Sequence, residues 1–322
     1  MKSELGEPGW LSATSAWRLI RCPASVSSTS TPLKPQALSS INAGSLAHLA
    51  LQEWIRLGGP ASSDPGADFR RRYEGAAAAH GISPSNIPRG VATGARLARR
   101  AAELAALLPP GQNTAASEQL LLDKSCRLFG IVDIVSGEPA RLLVDLKTGR
   151  SDFRASGFIR FQLLFYSHLY EVNFGAYPLR TVAFDLEHGV TEFHFSKTEV
   201  SRLLSRIHSA RLSDPSKARP AASTCRHCPR RLRCGAHWND VATWERPDAL
   251  EGRVRVIERS TAATISISVD GKWLTGIPAH AVKDDLNIGS FLRAVRVRRL
   301  SYREPEEWAY TAHSLIALSP GY

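Results

Sequence analysis

The chain has no apolar run of the length a membrane span requires. Its N-terminus shows no basic region followed by an apolar block and a cleavage site. The expectation is therefore a cytoplasmic protein with no membrane partner. Cysteine is scarce, five in 322 residues. Cytosolic cysteines are rarely used as disulfides, so metal or cluster ligation is their better use. No G-x-x-x-x-G-K-[ST] occurs, so the chain carries no P-loop motor of its own. No internal repeat is visible. Acidic residues are outnumbered, Asp+Glu 30 against Lys+Arg 41, for a formal net charge of +11. An arginine-rich basic balance favours a polyanion partner. The 43% hydrophobic and 22% charged shares are those of a globular protein, and the length admits two domains.

The most informative stretch is Leu128 to Arg150. Its ends are runs rich in Ile, Val and Leu, separated by Ser136-Gly137-Glu138-Pro139, which reads as a β-hairpin. Asp133 lies on the first strand and Asp145 on the second, with Lys147 two residues further on. Side chains alternate along a strand, so Asp145 and Lys147 share a face. A hairpin that sets Asp133 opposite them gathers two carboxylates and an ammonium. Carboxylates in an apolar strand are costly to ionise unless compensated, and Mg²⁺ or Mn²⁺ is a natural compensator for hard oxygen ligands. For the hairpin alone, an ordinary strand-end ion pair competes with that reading.

Residues 1–10 read as a disordered start, and Ser15 to Cys22 as a short helix stopped at Pro23. Ser25 to Ser40 is a Ser/Thr/Pro-rich loop. A helix begins near Ala43 and runs through Ile55. It places Ala47, Leu51 and Trp54 on one face and His48 and Gln52 on another. Residues 69–89 give no resolvable pattern. Further helices are expected over about Val91–Leu108, Phe158–Tyr170 and Lys197–Ser209. Strands are expected from Glu118, over Arg180–Leu186 and over Val190–Phe195. From Glu251 the chain becomes β-like: Arg253–Ile257, Thr264–Val269, an Asp270-Gly271 turn, Lys272–Ile277, Phe291–Leu300 and Glu307–Ala312. Short strands at this spacing suggest a small barrel, with the domain boundary near Pro247.

Four motifs follow one another in order: Gly44-x-x-x-His48, Gly130-x-x-Asp133, Asp145-x-Lys147-Thr148-Gly149 and Gln162-x-x-x-Tyr166. Together they resemble the RecB-like branch of the PD-(D/E)XK nuclease superfamily, over about residues 15–240. Val132 stands where the superfamily's name puts proline, a departure common in that branch. The resemblance implies an α/β fold in which a central mixed sheet flanked by helices forms residues 1–246. It implies metal ligation by His48, Asp133 and Asp145, catalysis by Lys147, and a site-lining helix bearing Gln162 and Tyr166. Glu118 corresponds to an acidic position on the preceding strand. Phosphodiester hydrolysis fits these groups, since a divalent ion lowers the pKa of a bound water and clamps the phosphate.

Cys225-x-x-Cys228-x₅-Cys234 supplies three thiols, one short of a Cys₄ set, and Cys22 is the best fourth candidate. The arrangement is similar to that of iron–sulfur nucleases such as the CRISPR-associated exonuclease and the AddB nuclease domain. That similarity implies a structural [4Fe–4S] cluster stapling the ends of the nuclease domain. Zinc held by Cys₄, or by three cysteines and His227, is the alternative. Cys126 reads as a small buried hydrophobe, and Arg226, Arg230, Arg231 and Arg233 as candidates for phosphate contacts. Residues 247–322 look similar to an OB-fold, with Arg253, Arg255, Arg296, Arg298 and Trp273 as possible single-strand contacts. The expected function is a metal-dependent DNA nuclease, by resemblance an exonuclease on DNA with single-stranded portions or ends. Its setting would be repair, recombination or foreign-DNA processing, with a helicase or recombination protein as possible partner. The competing readings are a non-catalytic nucleic-acid-binding module and a zinc-stapled RNA-processing factor.

Overall fold

The computed structural model describes residues 9–26, 42–108, 115–149, 157–214, 216–226, 228–259, 263–282, 286–301, 304–311 and 313–319. Two compact units emerge: Met1–Ile20 with Lys34–Leu212, and Arg21–Leu33 with Ser213–Tyr322. Most of the Ser/Thr/Pro-rich loop and nearly all of the first ten residues lie outside the described set, as does His227.

In the first unit the helices are α1 (Ala13–Arg21), α2 (Ala43–Arg56), α3 (Pro65–Ala79) and α4 (Gly90–Leu107). Asn42 caps α2, its side chain accepting from the Ser45 N–H, and so fixes where the histidine-bearing helix starts. Helix α3 occupies the stretch that the sequence pattern left open. Its start is set by Asp64, which caps the Ala67 N–H, and by Pro65 in the first turn. Its alanines carry little periodic signal, and Gly81 and Pro84 lie beyond its end.

Three antiparallel strands follow: β1 (Ala116–Asp123), β2 (Leu128–Ser136) and β3 (Leu142–Lys147). The chain then passes through α5 (Gly157–Phe174) to β4 (Arg180–Asp185), which pairs with β3 in parallel. A parallel neighbour needs a crossover of this kind. Strand β5 (Gly189–Phe193) closes the order β1-β2-β3-β4-β5, and α6 (Lys197–Arg211) follows, opened by a Ser196/Glu199 capping box.

Helices α2, α3 and α4 bury Leu46, Trp54, Phe69, Tyr73 and Leu97 together with Val144 and Phe184 of the sheet. Helix α5 packs against β1 to β4. The result is the mixed sheet flanked by helices that the motif order implied. Cys126 differs from its expected place. It is only partly buried, in the turn between β1 and β2, where its N–H donates to Asp123 Oδ1 at 3.0 Å. A turn residue with a polar partner is positioned by that bond and not by burial.

The second unit holds α7 (Ala222–Cys225), α8 (Gly235–Val241) and seven strands. These are β6 (Ala249–Arg259), β7 (Thr264–Val269), β8 (Lys272–Pro278), β9 (Phe291–Val295), β10 (Arg298–Ser301), β11 (Glu307–Ala309) and β12 (Leu315–Ser319). They form one all-β sheet in the order β10-β11-β8-β7-β6-β9-β12. Among the described residues β10 and β12 each pair with one neighbour only, so no closing pair joins the ends. Val254, Ile267, Val269, Leu274, Leu292 and Trp308 make its core. The single strand expected over residues 291–300 is two, β9 and β10, broken at Arg296, whose backbone is left-handed at φ 60. One residue in that conformation redirects the chain, and an alternating Val/Arg pattern does not reveal it.

Candidate metal centre

The site in the first unit is assembled from α2, the β1–β3 strands and α5. The register Ile134↔Val144 ends the β2–β3 ladder; one step further, Asp133 stands opposite Asp145. In place of a ladder bond, Asp133 Oδ2 accepts the Leu146 N–H at 2.5 Å. That bond fixes the carboxylate and leaves Oδ1 toward His48 Nδ1, 2.9 Å away. Glu118 Oε1 lies 3.4 Å from the same nitrogen. The β1–β2 register sets Glu118 between the pairs Ser117↔Ile134 and Gln119↔Val132, opposite Asp133. Its backbone is left-handed at φ 51, rare for a residue other than glycine and a form of strain concentrated at functional sites.

His48, Glu118 and Asp133 thus each offer one ligand atom, all within 4.8 Å of one another. Among the described residues no other group of three His, Cys, Asp or Glu does so. Asp145 lies outside the trio but beside it, 3% exposed, with Lys147 Nζ in direct contact with its Oδ2. Lys147 also donates to Gln162 Oε1 at 2.8 Å, and Gln162 Nε2 donates to Tyr166 Oη at 3.0 Å. The expected residues His48, Asp133, Asp145, Lys147, Gln162 and Tyr166 therefore meet at one place.

The motif glycines have steric reasons. A Cβ at Gly130 would sit 2.5 Å from Tyr166 Cε1, so only glycine lets that ring lie against β2. A Cβ at Gly44 would meet Thr148 Oγ1 at 2.8 Å, so glycine lets α2 approach the end of β3.

Electrostatics agree with a cation between the acids. Burial by itself lowers the His48 pKa, but hydrogen bonds and attraction from Asp133 and Glu118 outweigh it and raise it to about 10. In the metal-free protein the imidazolium is thus the counter-ion of the two carboxylates. Burial raises Asp145 to about 6, with Asp133 adding to the shift and Lys147 opposing it. Burial also pushes the Tyr166 phenol up, helped by Asp145, so the hydroxyl that accepts from Gln162 stays neutral. One imidazole nitrogen and several carboxylate oxygens form a donor set that suits Mg²⁺ or Mn²⁺, and the residues present fit such an ion.

In the second unit, Cys22, Cys225, Cys228 and Cys234 line one cavity of about 430 Å³. None of the five cysteines forms a disulfide. Cys22 Sγ accepts the Arg219 N–H at 3.3 Å. Burial, with the three neighbouring thiols, drives the Cys225 pKa up to about 11, against a backbone hydrogen bond that lowers it. Arg231 corrects one expectation. It is 1% exposed and holds Asp248 with both terminal nitrogens, so it is an internal ion pair and not a surface phosphate contact. Arg255 likewise pairs with Asp270 at 3.0 Å.

A strand hairpin carrying two acids and a lysine, a parallel crossover helix and a histidine from a preceding helix together define a nuclease-type hydrolase core. The chain belongs to the PD-(D/E)XK nuclease superfamily, whose family model matches residues 11–235. No curated protein matches it. Among solved structures, RecJ from Thermus thermophilus in complex with Mn²⁺ is similar at 11% identity over 86% of this chain and 41% of that one, with a TM-score of 0.20. The Mg²⁺ complex of RecJ from the same organism is similar at 10% identity over 85% and 48%, with a TM-score of 0.17. The chain spans less than half the length of those proteins, and a likeness of this size carries no structural argument. Among the described residues no helix is long and apolar enough to cross a membrane.

Proposed function

We propose that the chain is a divalent-metal-dependent deoxyribonuclease, an exonuclease acting on DNA with single-stranded portions or ends. The observation that carries this is the meeting of His48, Glu118 and Asp133 within ligand distance, beside an Asp145–Lys147–Gln162–Tyr166 chain of contacts. His48, Glu118, Asp133 and Asp145 would hold Mg²⁺ or Mn²⁺, which supplies an acidified water and charge neutralisation on the phosphate. Lys147 offers a positive charge to the phosphoryl oxygens as negative charge grows there. Asp145 and Gln162 hold its ammonium in place, and Tyr166 positions Gln162. Purified protein with Mn²⁺ and end-labelled single-stranded DNA tests the reading. Wild type should shorten the strand from an end, chelator should stop it, and Lys147→Ala should cut the rate by about 10²-fold or more. Equal degradation by wild type and variant, or none by either, defeats it. Comparing 5′- and 3′-labelled strands gives the polarity.

The four cysteines on one cavity support a [4Fe–4S] staple in the second unit. In this reading residues 1–246 are the nuclease domain with its staple and 247–322 an appended OB-like module, a boundary later in the chain than the division into compact units after Leu212. Repair, recombination or foreign-DNA processing beside a helicase or recombination partner is the setting this reading favours.

A further inference from the structure

A second cavity of the second unit, about 1020 Å³, is separate from the cysteine cavity in that no cysteine lines it. Arg226, Arg246, Arg296, Arg298 and Arg299 line it, with Trp244 and His313. The one carboxylate among the described residues that line it, Asp248, is already engaged at both oxygens by the buried Arg231. Arg299 is held by Glu306 at 2.5 Å. The side chains of Arg226, Arg246, Arg296 and Arg298 make no ion pair or hydrogen bond among the described residues. Arg296 is the most constrained of the four. Its backbone is left-handed, its Nε is buried without a partner, and burial together with Arg231 lowers its pKa.

Guanidiniums packed into a concave surface with their one acid neutralised repel each other, and an anion relieves that repulsion. An arginine-lined groove with a half-exposed indole is the combination that tracks a phosphate backbone and stacks a base.

We propose that this cleft binds single-stranded DNA, Arg226, Arg246, Arg296 and Arg298 contacting successive phosphates and Trp244 stacking on a base. The assignment of the anion to DNA rests on the nuclease reading above; the anion site itself rests on the charge arrangement. The cleft replaces the expected grouping of Arg253, Arg255 and Trp273 with Arg296 and Arg298. Of those five, only Arg296 and Arg298 line it.

The test is fluorescence anisotropy of a labelled oligothymidylate with the full chain in chelator, so that no hydrolysis occurs, across a salt series. Arg226 and Arg298 are exposed, so charge reversal there leaves packing intact, as an unchanged thermal transition would verify. The double variant Arg226→Glu/Arg298→Glu should weaken binding about tenfold or more. It should also flatten the slope of log affinity against log salt by about 1.4, at about 0.7 per lost single-strand phosphate contact. Arg99→Glu on α4 should leave both unchanged. Trp244→Phe should weaken binding and remove the quenching of tryptophan emission by the oligonucleotide. Unchanged affinity and slope in the double variant overturns the proposal. So does quenching by tripolyphosphate with none by the strand, which assigns the cleft to a small anion. Neither result alters the Mn²⁺-dependent assay of Lys147→Ala, so this cleft and the nuclease reading fail separately.

Discussion

His48 carries the clearest titration consequence. Its pKa is raised to about 10 by Asp133 and Glu118, well above the ordinary histidine value near 6.5. A group whose folded pKa is raised contributes stability that is fully present below the unfolded value and is lost as pH rises through the folded one. Melting of the metal-free protein should therefore show a loss between about pH 6.5 and 10 that His48→Gln lacks. An identical pH profile for both would contradict the ion pair. Binding of a divalent ion near pH 8 must displace that proton, so the calorimetric heat should vary with the ionisation enthalpy of the buffer.

Asp145 has a linkage of the same sign in a lower pH window. Burial raises its pKa to about 6, so ionisation costs stability as pH climbs from the ordinary carboxylate range through that value. Asp145→Asn should abolish hydrolysis yet leave the metal-free protein as stable at pH 8, or about 2–4 °C more so for a gain of ~1 kcal/mol. A marked drop in melting temperature would show that the carboxylate supports the fold.

At the scale of elements, the hairpin, the crossover helix and the histidine helix were legible because their patterns are strong. Apolar strands flank a turn, and polar residues four apart share a helix face. Glu118 was legible only as an acid near the start of a strand. Its place in the trio depends on register with β2 and on a left-handed backbone, and neither leaves a signature in residue type. Helix α3 was hidden because alanine has high helix propensity but marks no face. Strand β12 was missed because it is short and close to the end of the chain, and its pairing with β9 is long-range.

The glycines explain what the motifs alone did not: Gly130 and Gly44 are spaces for Tyr166 and Thr148. Gly130→Ala should destabilise the protein by about 1–3 kcal/mol through overpacking and lower turnover by displacing the Tyr166–Gln162–Lys147 chain. Chemical denaturation and a rate measurement check both, and a variant with wild-type stability would mean the ring has room to move.

At the scale of the whole molecule, Cys22 comes from near the N-terminus yet lines the same cavity as three cysteines more than 200 positions later. The sequence nominates it as the fourth ligand ahead of Cys126, and packing agrees, since Cys22 and not Cys126 lines the cavity. Cys22→Ser should lose iron and visible absorption and lower the melting temperature, whereas Cys126→Ser should keep both. Equal iron content in the two variants would remove Cys22 from the ligand set. Three of the cleft arginines, Arg226, Arg296 and Arg298, were nominated from the sequence, but in two separate groups; their convergence with Arg246 on one cavity is set by packing. What distinguishes these four is that, among the described residues, their side chains make no ion pair, the acid in the cleft, Asp248, being held by Arg231.

Everything rests on three side chains sharing one divalent ion. Titrating Mn²⁺ into the chelator-treated protein, with the free ion followed by its electron paramagnetic resonance signal, tests that most directly. Wild type is predicted to bind Mn²⁺ at this site, with Asp133→Asn and Glu118→Gln each weakening the binding at least tenfold. Binding of equal strength in all three proteins would contradict it.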